Sequence, residues 1–357
     1  MRAALTLARR GLGTTAPNPA VGCILVNQGI VVGRGYTQPG GRPHGEVMAL
    51  AQAGKLAKGA TAYVTLEPCA HHGKTPPCAE ALVKAGVVRV VTAIGDPDVR
   101  VAGKGLEILK NAGIEVVENV LKDAARRANF GFFKRITEGL PALTLKLATD
   151  RNGNIPPRGA EGEDKWITSP EARKRGHLLR ATHDAVLFGI GTVLDDDPDY
   201  TCRIKGLEHQ SPIRVLLDGH LKLPAHANLL QNLDKAPLWV VCLEGADPAR
   251  QQALSDEGVT VIVAPQNETG RIDVAWVAGE LAERGLTRVL VETGPALASA
   301  FLNAGLVDEI DWFRAEKVLG DKAVPAFHDF SLEKLASAPE AVLQAGPDQL
   351  EIYDLRA

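Results

Sequence analysis

A chain of 357 residues exceeds the length over which one core usually grows, so the sequence predicts two domains, each burying its own core. A formal net charge of −3 gives no bulk field that would concentrate nucleic acid or an anionic membrane, leaving only local basic clusters such as Arg126-Arg127, and no apolar stretch reaches membrane-spanning length. Cysteine is odd in number at five; Cys23, Cys202 and Cys242 lie in apolar or strand-like surroundings that suit buried free thiols, and the start reads directly into a helical pattern, so a reducing, cytoplasmic location is expected.

Ala4, Leu5, Ala8 and Leu12 recur at helical spacing over residues 3–11, and Pro17 and Pro19 end that pattern in a loop. Residues 21–26 and 30–32 are short β-branched runs joined by Asn27-Gln28-Gly29, a hairpin signal. A periodic apolar stretch over 44–53 stops at Gly54, which puts His44 and Glu46 at or just inside a helix N-terminus. A strand at 62–66, a helix at 78–85 closed by Gly86, and strands at 87–94 and 114–117 follow, then one long helical stretch through Arg135. The pattern breaks at Gly139-Leu140-Pro141, which divides the chain into domains 1–139 and 140–357. The second half reads as a strand at 142–148, a Gly- and Pro-rich loop at 152–162, a helix at 170–181, strands at 184–189, 212–218, 237–243 and 259–264, a helix at 273–284, a strand at 287–292 and a helix at 295–304. Alternating strands and helices predict α/β folds in both halves, the first a sandwich.

The chemistry concentrates in the first half, where His44-Gly45-Glu46 is followed by Glu67-Pro68-Cys69 and Pro77-Cys78. One imidazole and two thiols are three zinc ligands, leaving a fourth tetrahedral position for water, as in a catalytic rather than a closed structural site. Zinc so held brings the pKa of bound water to about 7. Hydrolytic deamination also needs a proton carrier: a Glu beside the ligand His, not on the metal, with a Pro-Cys pair downstream. His44, Cys69 and Cys78 fit the ligands and Glu46 the shuttle. A lone His is ordinarily a surface or core residue and a lone Cys pair two buried thiols; the combination, with two groups at helix starts that favour thiolate, outweighs that reading. Eight residues, 70–77, separate the cysteines. Within them His71 and Lys74 are read as substrate contacts and His72 as part of a solvated loop.

Pro17-Asn18-Pro19-Ala20-Val21-Gly22, His44-Gly45-Glu46 and the run from Thr65 to Cys78, with His71-His72-Gly73-Lys74-Thr75-Pro76-Pro77 between the cysteines, resemble the deaminase half of the bifunctional riboflavin-biosynthesis deaminase/reductase family. Lys165-Trp166-Ile167-Thr168-Ser169-Pro170, Gly191-Thr192-Val193-Leu194-Asp195-Asp196-Asp197-Pro198 and Val291-Glu292-Thr293-Gly294-Pro295 resemble its reductase half, so the resemblance covers essentially the whole chain. It implies a cytidine-deaminase-like α/β/α sandwich and a dihydrofolate-reductase-like α/β domain, with Zn2+ and NADPH as cofactors. It implies hydrolytic deamination of a diamino-ribosylamino-pyrimidinone 5′-phosphate, then reduction of the ribosyl side chain to ribityl. A homo-oligomer, dimer or tetramer, with a small-molecule substrate and no nucleic-acid or membrane partner, is the family expectation.

By resemblance, Asn18, His71, Lys74, Thr75 and Asp96 hold the ring and phosphate in the first site. In the second, Lys146 and Glu292 are catalytic, Lys146 orienting the reacting sugar carbon or donating a proton, while Arg180, Tyr200, Arg203 and Glu292 contact substrate. Ala148, Trp166, Thr192, Asp196, Gly219, Gly294, Pro295 and Ala296 contact NADPH. No Gly-x-Gly-x-x-Gly fingerprint is expected in such a fold, and Gly294-Pro295, between a strand and a helix, suits a cofactor phosphate. Read alone, Trp166 would be core packing and the arginines a solvated face.

Several positions depart from the family pattern. Gly45 stands where alanine is usual, at a cost in helix propensity and none in chemistry. Thr37 stands for His and Asp98 for Asn near the first site. Thr149-Asp150-Arg151-Asn152-Gly153 replaces Ser-Leu-Asp-Gly, the loop 154–163 is longer than usual, and Asp164 replaces a Ser. The alternative is therefore an active deaminase with a degenerate reductase half serving binding or oligomerisation. A zinc-stabilised nucleotide-binding protein is a third reading, opposed by Glu46, for which a structural site has no use.

Overall fold

The computed structural model describes residues 1–71, 76–99, 101–157, 159–160, 166–327 and 338–356. They form two compact units, Met1–Leu140 and Pro141–Ala357.

In the first unit α1 (Arg2–Ala8) leads into β1 (Gly22–Asn27) and β2 (Ile30–Tyr36), then α2 (Gly45–Ala53), β3 (Thr61–Val64), α3 (Cys78–Lys84), β4 (Arg89–Thr92), α4 (Lys104–Asn111), β5 (Glu115–Val117), α5 (Lys122–Ala128) and α6 (Phe130–Glu138). The sheet runs β2-β1-β3-β4-β5, with β1 antiparallel to both neighbours and β3, β4 and β5 parallel. The predicted hairpin forms because Gln28 (φ 48°) and Gly29 (φ 78°) both take the positive angles that a two-residue turn of the right twist needs. α2 and α3 cover one face and α1 the other, around a core that includes Leu25, Val64, Leu82, Val90 and Leu109.

Glycines bring the helices onto the backbone itself. A Cβ on Gly22 would collide with Ala4 O, and Cβ atoms on Gly33 and Gly35 with Ala49 O and Gly45 O, so α1 and α2 sit closer to the sheet than side chains would allow. A Cβ on Gly45 would lie 2.7 Å from Val21 O. Glycine here thus costs helix propensity but avoids a clash that the usual alanine would meet in this backbone, which the sequence reading did not foresee.

The predicted long helix through Arg135 is in fact two helices meeting at Asn129. The Asn129 side chain is buried and committed to Ala20, its Oδ1 accepting from the Ala20 N–H at 2.9 Å and its Nδ2 donating to the Ala20 carbonyl at 2.9 Å. A tertiary bond of this kind is invisible to periodicity.

The second unit comprises β6 (Ala142–Thr149), β7 (Asn154–Ile155), α7 (Pro170–Ala181), β8 (Ala185–Gly189), α8 (Ile190–Asp196), β9 (Ile213–Leu217), α9 (Asn228–Gln231), β10 (Leu238–Leu243), α10 (Pro248–Asp256), β11 (Thr260–Ala264), α11 (Val274–Glu283), β12 (Arg288–Val291), α12 (Pro295–Asn303), β13 (Glu309–Arg314), β14 (Val324–Pro325), β15 (Ala341–Ala345) and β16 (Asp348–Asp354). Its large sheet runs β11-β10-β9-β8-β12-β6-β13-β16-β15. It is parallel from β11 to β13, and β16 and β15 continue it antiparallel. Open parallel sheets bind ligands outside the carboxyl ends of their strands, which is where the crevice described below lies.

In this unit the sequence reading missed β7, α8, α9, α10 and the strands after residue 304. α10 buries only Leu254, so it carries little apolar period; its start is set by Pro248 and by Asp247, whose side chain accepts from the Ala249 N–H.

Asp311 on β13 is buried and its Oδ1 has no hydrogen-bond partner. Burial pushes its carboxyl up to about 7, with Glu309 adding to the rise. An unfolded aspartate titrates near about 4, so between the two values the folded chain holds a proton that the unfolded chain releases. The contribution is present at low pH and is lost as pH rises through the folded pKa. Asp311→Asn is expected to raise Tm relative to the parent at about pH 8 and to change it little at about pH 4.5, measured by thermal unfolding. Equal shifts at both pH values would remove buried charge as the cause.

Candidate functional site

In the first unit two helix starts converge. His44 is the N-cap of α2, with extended backbone (φ −69°, ψ 158°), and Cys78 is the first residue of α3. His44 Nδ1 lies 3.3 Å from Cys78 Sγ and 3.6 Å from Cys69 Sγ, and the Cys78 N–H donates to Cys69 Sγ at 3.3 Å. All three donor atoms are within 4.8 Å of one another. Tetrahedral zinc, with bonds of about 2.0 Å to nitrogen and about 2.3 Å to sulfur, would set N and S roughly 3.5 Å apart. The donor set therefore fits zinc in both chemistry and spacing. Hydrogen bonds from Cys78 and His44 hold the Cys69 thiol down at about 4 against the opposing effect of burial, and Cys78 is correspondingly raised, so the pair shares a proton that metal binding would release.

Glu46, in the first turn of α2, is buried, and its carboxyl is hydrogen-bonded with the Cys78 thiol; burial pushes it up to about 7. Asn18 is half-buried against Gly41, and Asp96 is half-buried with its carboxyl raised by burial to about 6, near the exposed His71. Lys74, Thr75 and His72 lie outside the described residues, as do Glu163, Asp164 and Lys165. Thr37 makes no substitute for a histidine: its hydroxyl is engaged with the Val21 backbone, accepting from the N–H at 2.9 Å.

Glu67 was not assigned a role from sequence. Its buried carboxylate accepts from the N–H groups of Gly103 (3.0 Å), Gly105 (3.0 Å) and Asp96 (3.4 Å), so the residue two before a zinc ligand also clamps the loop that carries Asp96. A Cβ on Gly105 would strike Pro68 O, which is why that loop comes so close.

The second unit contains a cavity of ≈ 1390 Å³ across the C-terminal ends of β6, β8, β9, β10 and β12. The residues expected at the cofactor, from Ala148 to Ala296, all line it, and so do Lys146, Tyr200 and Glu292. Trp166 is 52% exposed and stacked by Arg173 at 4.6 Å, which rules out core packing. Gly294 caps α12, with Pro295 at its first turn and no atom within 4 Å of a would-be Gly294 Cβ. That gap lets a phosphate reach the helix N–H groups, so the crevice fits a dinucleotide.

At one end Glu292 is gripped on three sides. Arg180 donates to it twice, Nε to Oε1 at 2.7 Å and Nη2 to Oε2 at 2.9 Å; Lys146 Nζ stands 3.9 Å from Oε2; and the Tyr200 hydroxyl donates to the Glu292 carbonyl at 3.2 Å. Burial alone would raise the Glu292 carboxyl, but Arg180 and Lys146 hold it down at about 2. Burial lowers Lys146. Tyr200 takes φ 54° and stacks on Phe188 at 3.9 Å, which fixes its ring. Arg180 and Arg203 do not line the cavity. The third Arg180 nitrogen, Nη1, donates to the Thr201 carbonyl at 3.3 Å, whereas Arg203 is 59% exposed. His177, which sequence reasoning passed over, sits between the arginines: its Nδ1 faces the Thr201 carbonyl at 3.2 Å and its Nε2 accepts from Arg203 Nε at 3.3 Å. Burial and the two arginines lower it to about 4, so it is neutral.

Asp150 lines neither site. It is fully buried, its Oδ1 accepting from Asn152 and Asn154 N–H and its Oδ2 from Leu319 N–H, so the unusual 149–153 segment is a tight turn closed on Asp150.

A three-ligand zinc site with a buried carboxylate and a separate phosphate-reading crevice define a zinc-dependent deaminase joined to a nucleotide-dependent reductase. Comparison with known proteins agrees: residues 1–94 match the cytidine and deoxycytidylate deaminase zinc-binding region, and residues 157–349 the RibD C-terminal domain. The chain is 42% identical to riboflavin biosynthesis protein RibD of Escherichia coli (strain K12), covering 98% of this chain and 96% of that one. It is 43% identical to RibD of Aquifex aeolicus (strain VF5) over 90% and 87%. The solved structure of Acinetobacter baumannii RibD superposes with a TM-score of 0.84 at 40% identity, covering 99% and 97%. That of the Thermotoga maritima diaminohydroxyphosphoribosylaminopyrimidine deaminase/5-amino-6-(5-phosphoribosylamino)uracil reductase superposes with 0.81 at 32%, over the same shares. The chain belongs to the RibD family and is a bifunctional enzyme of riboflavin biosynthesis, using zinc in its deaminase domain and NADPH in its reductase domain. A degenerate reductase half is not favoured. No helix among the described residues is long and apolar enough to cross a membrane.

Glu67→Gln keeps the size but places an amide N–H₂ against backbone donors. It is expected to destabilise the protein by about 2 kcal/mol in chemical unfolding while zinc content stays stoichiometric. Unchanged stability would mean that the loop does not depend on this clamp.

Proposed function

We propose that the chain acts twice on one pyrimidine ribosyl phosphate: hydrolytic deamination of 2,5-diamino-6-ribosylamino-4(3H)-pyrimidinone 5′-phosphate, followed by reduction of its ribosyl group to ribityl. The observation that carries the reading is the buried Glu46 carboxyl held against Cys78 beside the His44, Cys69 and Cys78 donors. Zinc bound there supplies an activated water. Glu46 would take one proton from that water and pass it to the ring nitrogen as the C–O bond forms, then take the second proton from the new hydroxyl and pass it to the amino group as the C–N bond breaks and ammonia leaves. Its raised pKa suits a group that must both accept and give a proton near neutrality. Asn18, His71 and Asp96, with Lys74 and Thr75, hold the ring and phosphate.

In the second domain the bound cofactor supplies a hydride. As the C1′–H bond forms and the C1′–O4′ bond breaks, the ring oxygen needs a proton, and Lys146, lowered by burial and aimed by Glu292, provides it. The two roles of the arginines separate on geometry. Arg180 is occupied by Glu292 and Thr201, and so orients Glu292, while the half-open Arg203 takes the 5′-phosphate. Ala148, Trp166, Thr192, Asp196, Gly219 and the start of α12 line the cofactor path. We also place the chain in the cytoplasm as a homo-oligomer: its five cysteines are free, as a reducing compartment permits, and oligomers are the family expectation.

Purified protein given the diamino substrate with NADPH is expected to release ammonia and oxidise NADPH in equal amounts. Ammonia alone would support the deaminase-only alternative, and neither product would overturn the reading. Glu46→Gln should retain zinc yet lose ammonia release by at least about 100-fold; full activity in that variant would refute the shuttle.

A further inference from the structure

The reductase crevice has a direction. Lys146 on β6 and Glu292 after β12 mark its reacting end, the α12 N-terminus lies next, and Gly219 after β9 and Leu243 on β10 lie beyond. In sheet order these strands run β10-β9-β8-β12-β6, so steps of about 4.8 Å carry the cavity roughly 19 Å from one end to the other. The far end is walled by Leu217, Leu243 and Ile272, and Gly219, with no Cβ, lets the Leu243 side chain pack directly against its backbone. An apolar slot of this kind, one dinucleotide length from the reacting end, suits an adenine.

The charges on the lining then single out one residue. Among the described residues, Lys146, Arg173 and Arg271 are the lysines and arginines that line the cavity. Lys146 faces Glu292, and Arg173 stacks on Trp166. Arg271 is exposed at the adenine end, and its guanidinium makes no hydrogen bond or ion pair among the described residues. Its backbone is held firmly, because Asn267 Oδ1 accepts from the N–H groups of Thr269 and Arg271 (3.0 Å each) and the Asn267 N–H donates to the Arg271 carbonyl at 2.7 Å. The one carboxylate on this loop that lines the cavity, Asp273, has its Oδ1 committed to capping α11, accepting from Ala275 and Trp276 N–H. A site built for an unphosphorylated ribose presents a carboxylate to its 2′-hydroxyl, and one built for the 2′-phosphate presents an arginine. Here the carboxylate is withdrawn and the arginine is open.

We propose that Arg271 reads the 2′-phosphate of NADPH and sets the preference for it over NADH. The assignment rests on the reading of this crevice as the NADPH site.

The test uses equilibrium binding to the full-length protein by calorimetry, with NADP⁺ and NAD⁺ as probes, and steady-state reduction with NADPH and NADH beside it. The parent is expected to favour NADP⁺, and Arg271→Gln to weaken NADP⁺ by about 10- to 100-fold while leaving NAD⁺ unchanged. Arg271→Lys should recover part of the loss, and the NADPH effect should appear in KM with kcat unchanged. Retained NAD⁺ binding shows that the variant is folded. Unaltered NADP⁺ affinity in Arg271→Gln, an equal loss for both nucleotides, or a selective NADP⁺ loss confined to His220→Gln on the neighbouring wall would each overturn the assignment. A parent protein that binds neither nucleotide would instead overturn the reading of the crevice itself.

Discussion

Buried carboxylates accepting backbone N–H groups hold both domains in working shape. An isolated buried carboxylate is costly, whereas one receiving two or three N–H bonds is a rigid joint between distant segments. Glu67 ties the zinc-ligand loop to residues 96–105, and Asp150 closes the turn after β6 and reaches Leu319. Asp184 takes the Thr287 N–H and hydroxyl and the Arg288 N–H, fixing the start of the strand that ends at Glu292. Asp348 takes the Ser169 N–H at 2.6 Å, and Ser169 in turn caps the helix bearing His177 and Arg180. For Glu67, Asp184 and Asp348 a residue proposed for one of the sites, respectively Asp96, Glu292 and Arg180, lies on the segment that the joint holds.

These joints mark the limit of what the sequence made legible. Residues that must be of one chemical type at one spacing were readable: His44, Glu46, Cys69 and Cys78 come together as the motif required, and the helix 170–181 and the second unit's parallel strands before residue 304 fall within a residue of their apolar patterns. An acid used as a backbone joint has no such spacing, since its partners lie as far as 169 positions away for Asp150 and Leu319. The motif around 149–153 therefore read as damage to the reductase site, although it is a closed turn away from the cavity. The break at Asn129 was hidden for the same reason, its partner Ala20 being 109 residues away. Arg180 shows the converse: its presence was legible, but its commitment to Glu292 was not, because a guanidinium's partner is chosen by the fold.

The two active acids have opposite environments on one chain, and the difference follows from what surrounds them. Glu46 and Glu292 are both buried, at 3% and 8% exposure. Among the described residues the charge that lowers Glu46 is that of His44, and burial outweighs it and pushes the carboxyl up to about 7, where it can carry a proton. Glu292 has Arg180 and Lys146 against it and is held at about 2, where it stays charged. Environments that drive paired acids apart in this way are how one fold runs different proton chemistry at one pH.

A permanently charged Glu292 also has a consequence for its neighbour. Burial lowers Lys146 and Arg180 lowers it further, whereas the ionised Glu292 raises it and so favours the protonated lysine. Arg180 secures that ionisation through two short bonds, which makes it the indirect keeper of the proton on Lys146. Three of the five Arg180 donors are committed to Glu292 and Thr201, and the residue does not line the cavity. On the roles proposed above, Arg180 serves Glu292 and through it Lys146, while the more exposed Arg203 is left for the phosphate.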